Sequence, residues 1–238
     1  MIGPAILVVT SAAVYGLGVR RVASWPAART VSFMAGVVTL AVALLAPLES
    51  SLSAHMAHHL LLGLVAPLLL AAGAPVRLAL AASRRRRWVR LLHALPLRPA
   101  VGWVAFTAVM LGTHLTGWYE LALQNPLVHA LEHLAYLFAG LAFWVPLVGA
   151  DPLPHPPSAA ARLAWLLAAM PPMGLVGAHL LTGTVAYPSY PDLADQRSAA
   201  GLMWGTGSLV MSAALVAIVF SALLREERRQ RRREAAAG

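Results

Sequence analysis

The sequence predicts an all-α integral membrane protein, a bundle of seven transmembrane helices with the N-terminus outside and the C-terminus in the cytoplasm. Three observations lead to this fold class. Hydrophobic residues make up 59% of the 238 residues and charged residues only 11%, against roughly 25% charged residues in an average globular domain. The apolar residues form runs close to the roughly 17 to 25 residues that a helix needs to cross a bilayer. Almost all basic residues lie in every second connection between these runs, as expected of a topology signal.

Seven segments meet or nearly meet the length of a membrane span. They cover residues 4–19, 31–47, 58–82, 100–117, 127–149, 163–184 and 201–224, of which the first two are the shortest. Prolines predict kinks in two spans, because proline lacks the amide hydrogen of a helical hydrogen bond. We expect one kink near Pro67 in the third span, which also contains Pro75, and another at Pro171 and Pro172 in the sixth.

The arginines set the predicted orientation. All 18 basic residues are arginines, and with seven spans only Arg197 lies on the side opposite to the other 17. The side richer in arginine stays in the cytoplasm, so residues 1–224 form one transmembrane domain and residues 225–238 a basic cytoplasmic tail. We expect the lipid bilayer, and no nucleic acid, as the partner of this basic chain, because no basic face is interleaved with aromatic residues.

The nine histidines are the candidate functional residues. Cysteine is absent, so a metal ion would be held by His, Met, Asp or Glu. Two polar triplets occur at i, i+3 and i+4, which places each triplet on one helix face. Two imidazoles at i and i+4 can bind one metal ion, and a carboxylate on the same face can orient them. The triplets are His55, His58 and His59 at the third span and His129, Glu132 and His133 at the fifth.

Other candidates lie near the same predicted outer surface. His114 and His179 are each about one turn inside the ends of the fourth and sixth spans, and ionisable groups within a bilayer are functional candidates. Met56 and Met203 carry thioethers, which favour Cu(I). Asp195, in the predicted outer loop with Asp192 and Gln196, can orient histidines. The alternatives are interfacial histidines, methionines that only pack, and a solvated acidic loop.

Three further features have simpler interpretations. His93 and His155 fall in predicted cytoplasmic loops. The segment 187–191, which contains Tyr187 and Tyr190, is typical of an interfacial aromatic belt with turn-forming prolines.

Four segments carry a resemblance to a known family. They are His55-Met56-x-x-His59-Leu60-Leu61-Leu62 with Ala66-Pro67 and Gly73-x-Pro75; His114-Leu115 with Tyr119 and Ala122-Leu123; Asn125-Pro126-Leu127-x-His129-x-x-Glu132-His133 with Phe143-Trp144-x-Pro146; and Leu193-Ala194-Asp195-Gln196 with Gly201-Leu202-Met203-Trp204. At these residues the sequence resembles the CtaG family of membrane proteins associated with assembly of caa-type cytochrome c oxidase. The resemblance covers roughly residues 50–204, and the third segment is its most specific part.

The resemblance implies a seven-span protein of the bacterial inner membrane that is needed for oxidase maturation and handles copper. The predicted metal ligands are His55, His59, His114, His129 and His133. The residues with supporting or second-tier roles are His58, Glu132, His179, Asp195, Met56 and Met203, and of these His58 and His179 are additional to the family pattern.

The leading hypothesis is an assembly factor rather than an enzyme, with the question of catalytic activity left open. It binds copper, as Cu(I), through histidines near the outer face and passes it to an oxidase subunit or exchanges it with another copper chaperone. Neutral imidazoles release metal on acidification, as they protonate near pH 6. The alternatives are a zinc-dependent intramembrane hydrolase with Glu132 or Asp195 as general base, and a b-type haem cytochrome. The metal, the recipient subunit and a homo-oligomeric state stay open.

Overall fold

The computed structural model of the protein describes residues 2–46, 50–83 and 98–237. All regular structure in these ranges is helical, which confirms the all-α prediction. The helices are α1 (Ile2–Arg20), α2 (Ala27–Leu45), α3 (Leu52–Leu60), a π-helical segment (Leu61–Val65), α4 (Ala66–Ala72), α5 (Pro75–Ala82), α6 (Pro99–Leu115), α7 (Trp118–Gln124), α8 (Pro126–Val148), α9 (Ala159–Ala168), α10 (Met170–Leu180) and α11 (Leu193–Ala237).

The number of membrane spans agrees with the prediction in part. Six helical units in the described ranges are long and apolar enough to cross a membrane, and a seventh is added if the bent pair α6 and α7 is one span. Helix α6 has 17 residues, and its axis makes an angle of 74° with that of α7. Large apolar side chains such as Leu127, Leu209 and Phe220 are exposed on the outside of the bundle. This surface is typical of a multi-pass membrane protein.

The third span contains a π-helical turn where the sequence predicts a kink. Its helix begins at Leu52 rather than at residue 58, and the amide of Ala66 donates to the carbonyl of Leu61, five residues back. The turn lies directly before Pro67, whose ring would clash with the carbonyl four residues earlier, that of Gly63, in a regular α-helix. A Cβ atom added at Gly140 would lie 2.3 Å from that carbonyl oxygen. The glycine therefore lets α8 pack directly against the π-helical turn.

The sixth span is interrupted where the sequence predicts a kink, whereas the last helix is longer than predicted. The interruption lies at Ala169, between α9 and α10 and two residues before Pro171. Helix α11 begins eight residues before the predicted residue 201 and continues without a break through residues 225–237. Ion pairs one turn apart, such as Arg229 with Glu226 at 3.7 Å, support this exposed extension.

The two ends of the bundle differ in charge. At one end Arg162 donates to the carbonyls of Leu147 and Val148, the latter at 2.8 Å, and Asp151 accepts from the amide of Arg77 at 2.7 Å. At the other end the first turns of α3, α8 and α11 meet the last turns of α6 and α10. We call these the arginine end and the histidine end. The exposed His155 lies at the arginine end, and His93 lies outside the described residues.

Candidate metal centre

Six histidines and one glutamate converge at the histidine end, inside the bundle. Neighbouring imidazole centroids are 4.1 to 5.6 Å apart, in the pairs His129–His133, His58–His133, His55–His59, His55–His129 and His59–His114. We call His55, His58, His59, His114, His129, His133 and Glu132 the histidine cluster. Its geometry makes the third, fourth and fifth predicted spans neighbours, with the rings of His59 and His133 6.4 Å apart.

Two sets of three side chains in the described residues bring their ligand atoms within 4.8 Å of one another. One set is His55, His129 and His133, and the other is His55, His59 and Glu132. Ligand atoms around one tetrahedral ion with bonds of about 2.0 to 2.1 Å lie roughly 3.4 Å apart. Small side-chain rotations would therefore bring either set to coordination distance, and His55 belongs to both.

Many polar atoms in this cluster are buried without a hydrogen-bond partner among the described residues. They are Nε2 of His55, both ring nitrogens of His58 and of His59, Nε2 of His133 and both carboxylate oxygens of Glu132. The atoms closest to pairing are His59 Nε2 and Glu132 Oε2, at 3.6 Å, which is too long for a hydrogen bond. Because buried polar groups normally have partners, this concentration of lone pairs fits a bound cation.

His114 lies at the edge of the cluster and belongs to neither ligand set. Its Nδ1 is 2.8 Å from the carbonyl oxygen of Met110 and 3.1 Å from the Tyr136 hydroxyl, and its Nε2 is 3.1 Å from Met56 Sδ. A carbonyl can only accept, so the hydrogen-bond network assigns the proton to Nδ1 and points the Nε2 lone pair at the thioether. His179, half-buried at the end of α10, also belongs to neither set.

His58 lies as close to the other histidines of the cluster as the predicted ligands do. It is buried, and its ring lies 4.2 Å from that of His133. His58 is a second-tier residue in the prediction because it is additional to the family pattern. The i, i+3 spacing from His55 already puts both on one helix face.

Two tyrosines that are not among the predicted site residues, Tyr119 and Tyr136, pack against the imidazoles. Tyr136 stacks on His59 with centroids 4.3 Å apart, and Tyr119 lies 5.0 Å from His55. Tyr136 is four residues after Glu132, so helical spacing could have found it. Tyr119 is separated from His55 by 64 positions in the chain, and no local pattern connects the two.

The interfacial-belt interpretation is wrong for Tyr187. This side chain is only 3% exposed, stacks on Tyr119 with centroids 4.1 Å apart, and donates to the carbonyl of His114 at 3.0 Å. Burial raises the pKa of the Tyr187 phenol, which keeps it a neutral donor. The connection 181–192 therefore turns the side chain of Tyr187 inward toward the cluster, while most of its other residues are exposed.

Two polar side chains hold that connection in place. Gln196 is buried, donates to the carbonyls of Leu180 and Thr184 at 2.8 and 2.9 Å, and accepts from the amide of Ala186 at 2.8 Å. Glu120 of α7 accepts from the hydroxyl of Ser189. The sequence analysis places Gln196 in the outer loop, whereas the structure places it in the first turn of α11, where it ties the loop to the helix.

Asp195 acts on the start of α3 and belongs to neither of the two ligand sets. Its carboxylate accepts from the amide of Leu52 at 2.6 Å and from the amide of Ser53 at 3.3 Å. A carboxylate at a helix N-terminus satisfies free amides and interacts favourably with the helix dipole. The predicted loop position of Asp195 is therefore wrong, and its side chain holds the first turn of the helix that carries His55.

Comparisons with known proteins show which family the chain belongs to. The family model for the cytochrome c oxidase caa3 assembly factor (Caa3_CtaG) matches residues 13–225. Two uncharacterized relatives, Mb0105 of Mycobacterium bovis and MT0111 of Mycobacterium tuberculosis, are each 28% identical over 84% of this chain and 35% of their own length.

A third uncharacterized relative, ML1998 of Mycobacterium leprae, is 28% identical over 90% of this chain and 38% of its own. The chain thus spans little more than a third of the length of these relatives. No solved structure matches it significantly. Because the family model covers most of the chain, including every residue of the histidine cluster, the chain belongs to the family of caa3-type cytochrome c oxidase assembly factors.

Proposed function

We propose that this assembly factor binds Cu(I) as cargo in the histidine cluster and helps deliver it to a subunit of cytochrome c oxidase. The proposal rests on the buried imidazole nitrogens and carboxylate oxygens that have no hydrogen-bond partner among the described residues. Imidazole nitrogen is a good ligand for copper. The family membership supplies the oxidase as the destination.

The cluster has more ligands than one ion needs, which suits a carrier better than a permanent site. His55 belongs to both three-ligand sets, so an ion can exchange one imidazole for another while His55 stays bound. In each exchange a new bond to the ion forms before an old one breaks, which lowers the barrier to release of the ion. A histidine or thiolate of a partner protein can then accept the ion by the same ligand exchange.

The arrangement of charges favours an outward-facing cluster in the bacterial inner membrane. Arg20, Arg77, Arg162 and the basic part of α11 lie at the end opposite to the histidines. The arginine-rich side of a membrane protein stays in the cytoplasm. The histidine end then faces outward, where it can receive copper and meet an oxidase subunit or another copper chaperone.

Metal analysis of the full chain in detergent tests the proposal. We expect the parent protein to retain Cu(I) through gel filtration and a variant with His55, His59, His129 and His133 all replaced by alanine to lose it. The matched control is His155→Ala, which removes an exposed histidine at the arginine end and is expected to retain the parent's copper. Equal copper in the parent and the fourfold variant would contradict the proposal.

A zinc-dependent hydrolase is the second candidate, and one observation favours it. His55, His129 and His133 form a three-histidine set, the ligand type of several catalytic zinc sites. Glu132 lies one turn after His129 and directly before His133. Zinc retained in place of copper, together with hydrolysis that stops when zinc is removed, would favour this activity over copper delivery.

A further inference from the structure

A small buried cavity lies next to the histidine cluster, deeper in the bundle. Its volume is about 20 Å³, and its lining includes Met110 of α6, Met173 of α10, Met203 of α11 and His59. The wall also includes Leu64, five residues further along the span than His59. We call this space the methionine cavity.

The three methionines come from three different helices, and all are buried. Met110, Met173 and Met203 are 3 to 5% exposed, and each reaches the same space from its own direction. A flexible methionine usually fills an irregular gap between packed side chains. Here three of them leave a cavity large enough for one water-sized particle, since that requires roughly 10 to 15 Å³.

Of the two polar side chains that line this cavity, His59 lacks a hydrogen-bond partner in the described part of the chain, whereas the hydroxyl of Tyr136 lies 2.6 Å from that of Thr113. His59 is 2% exposed, and neither of its ring nitrogens has a hydrogen-bond partner among the described residues. A water molecule would find few hydrogen-bonding groups in a wall of methionines and hydrocarbon. The donor set is therefore thioether sulfur with one imidazole, which is selective for soft monovalent ions such as Cu(I).

A second thioether–imidazole contact lies beside the cavity. Met56 Sδ is 3.1 Å from His114 Nε2, and the backbone carbonyl of Met110 accepts from Nδ1 of the same ring. A thioether and an imidazole are thus in direct contact where α3 meets α6.

We propose that Met110, Met173 and Met203, together with His59, form a second site for a soft monovalent metal ion, next to the histidine cluster and sharing His59 with it. The assignment of Cu(I) as its natural ion rests on the proposed copper-carrier function. The site would hold one ion inside the bundle while the cluster exchanges another with partners. His59, shared by both, is the side chain through which an ion passes between them.

The test uses the full chain in detergent, with Cu(I) and the redox-inert ion Ag(I) as probes. We expect the parent to bind at least two ions and its X-ray absorption spectrum to contain sulfur neighbours. The triple variant Met110→Leu, Met173→Leu, Met203→Leu keeps apolar side chains of similar size and should lose one ion and the sulfur signal. Met211→Leu, a buried residue of α11 that does not line the cavity, should change neither.

Two further measurements separate this proposal from the proposed function. The variant His55→Ala should remove the ion of the cluster and leave the sulfur-bound ion, because neither ligand set keeps three donors without His55. Parent protein labelled with selenomethionine should place the metal next to selenium, a readout that needs no folded variant. A spectrum with only nitrogen and oxygen neighbours overturns the methionine site even if the cluster binds copper. A parent that binds neither ion overturns both proposals.

Discussion

His55 occupies the central position of the candidate centre. It is fully buried, belongs to both three-ligand sets, and lies within 5.2 Å of His59 and His129 measured between ring centroids. Its Nδ1 is 3.3 Å from the hydroxyl of Tyr190, which leaves Nε2 to face a metal ion. A single side chain therefore determines whether either ligand set can be completed.

His55→Ala is expected to weaken Cu(I) binding by more than about 100-fold, the upper range for loss of a supporting residue around a metal site. The reason is that neither ligand set keeps three donors without it. Competition against a chromogenic Cu(I) chelator measures the effect. His179→Ala is the control, because His179 belongs to neither set, and equal affinities of the two variants would contradict the central role of His55.

Gly140 is the residue whose replacement tests the packing beneath the cluster. A Cβ atom there would lie 2.3 Å from the carbonyl oxygen of Gly63, whereas one at Gly112 meets nothing within 4 Å. We expect Gly140→Ala to destabilise the protein by about 1 to 3 kcal/mol through overpacking, and Gly112→Ala to be neutral or slightly stabilising, since alanine favours helix by about 1 kcal/mol. Thermal unfolding in detergent compares them, and equal midpoints would exclude the close approach.

At the scale of elements, α3 is positioned by a helix far away in the chain. Asp195 of α11 accepts from the amides of Leu52 and Ser53, more than 140 residues earlier, and Ser51 accepts from the amide of Ala54 at 3.2 Å. His55 follows within one turn of this cap. Precise placement of the first cluster histidine therefore depends on the contact between α3 and α11.

Asp195→Ala is expected to cost about 1 to 2 kcal/mol of stability, as for other lost helix caps, and to weaken Cu(I) binding because the first turn of α3 loosens. Asp195→Asn keeps an acceptor and should recover part of both. The comparison variant is Asp192→Ala, whose carboxylate accepts only from the amide of Ala194, in the first turn of α11, among the described contacts. If Asp195→Ala lowered stability but left copper affinity unchanged, its positioning role would be refuted.

For the whole molecule, the chain's lack of cysteine makes its orientation easy to measure. Thr184→Cys marks the histidine end and His155→Cys the arginine end, and both positions are exposed. In intact cells we expect a membrane-impermeant maleimide to label the first and spare the second, because the arginine end stays in the cytoplasm. The reverse pattern would place the cluster on the cytoplasmic side.

Sequence reasoning was most successful where the relevant residues share a helix. The spacing of His55 and His59, and of His129 and His133, fixes a common face before any fold is known. Neither the burial of Tyr187 nor the cap made by Asp195 could be derived in this way. Both depend on how distant helices pack, and a single sequence carries no local signal of that packing.

The span that carries His55, His58 and His59 is not a regular α-helix throughout. The π-helical turn at Leu61–Val65 contains the equivalent of one extra residue, and each residue of an α-helix rotates the chain by about 100°. If the same residues were wound as a regular α-helix, the three imidazoles would rotate by about that angle relative to α4, away from α8. The direction in which the histidine face points is thus set by the wide turn between two halves of one span, in addition to residue identity.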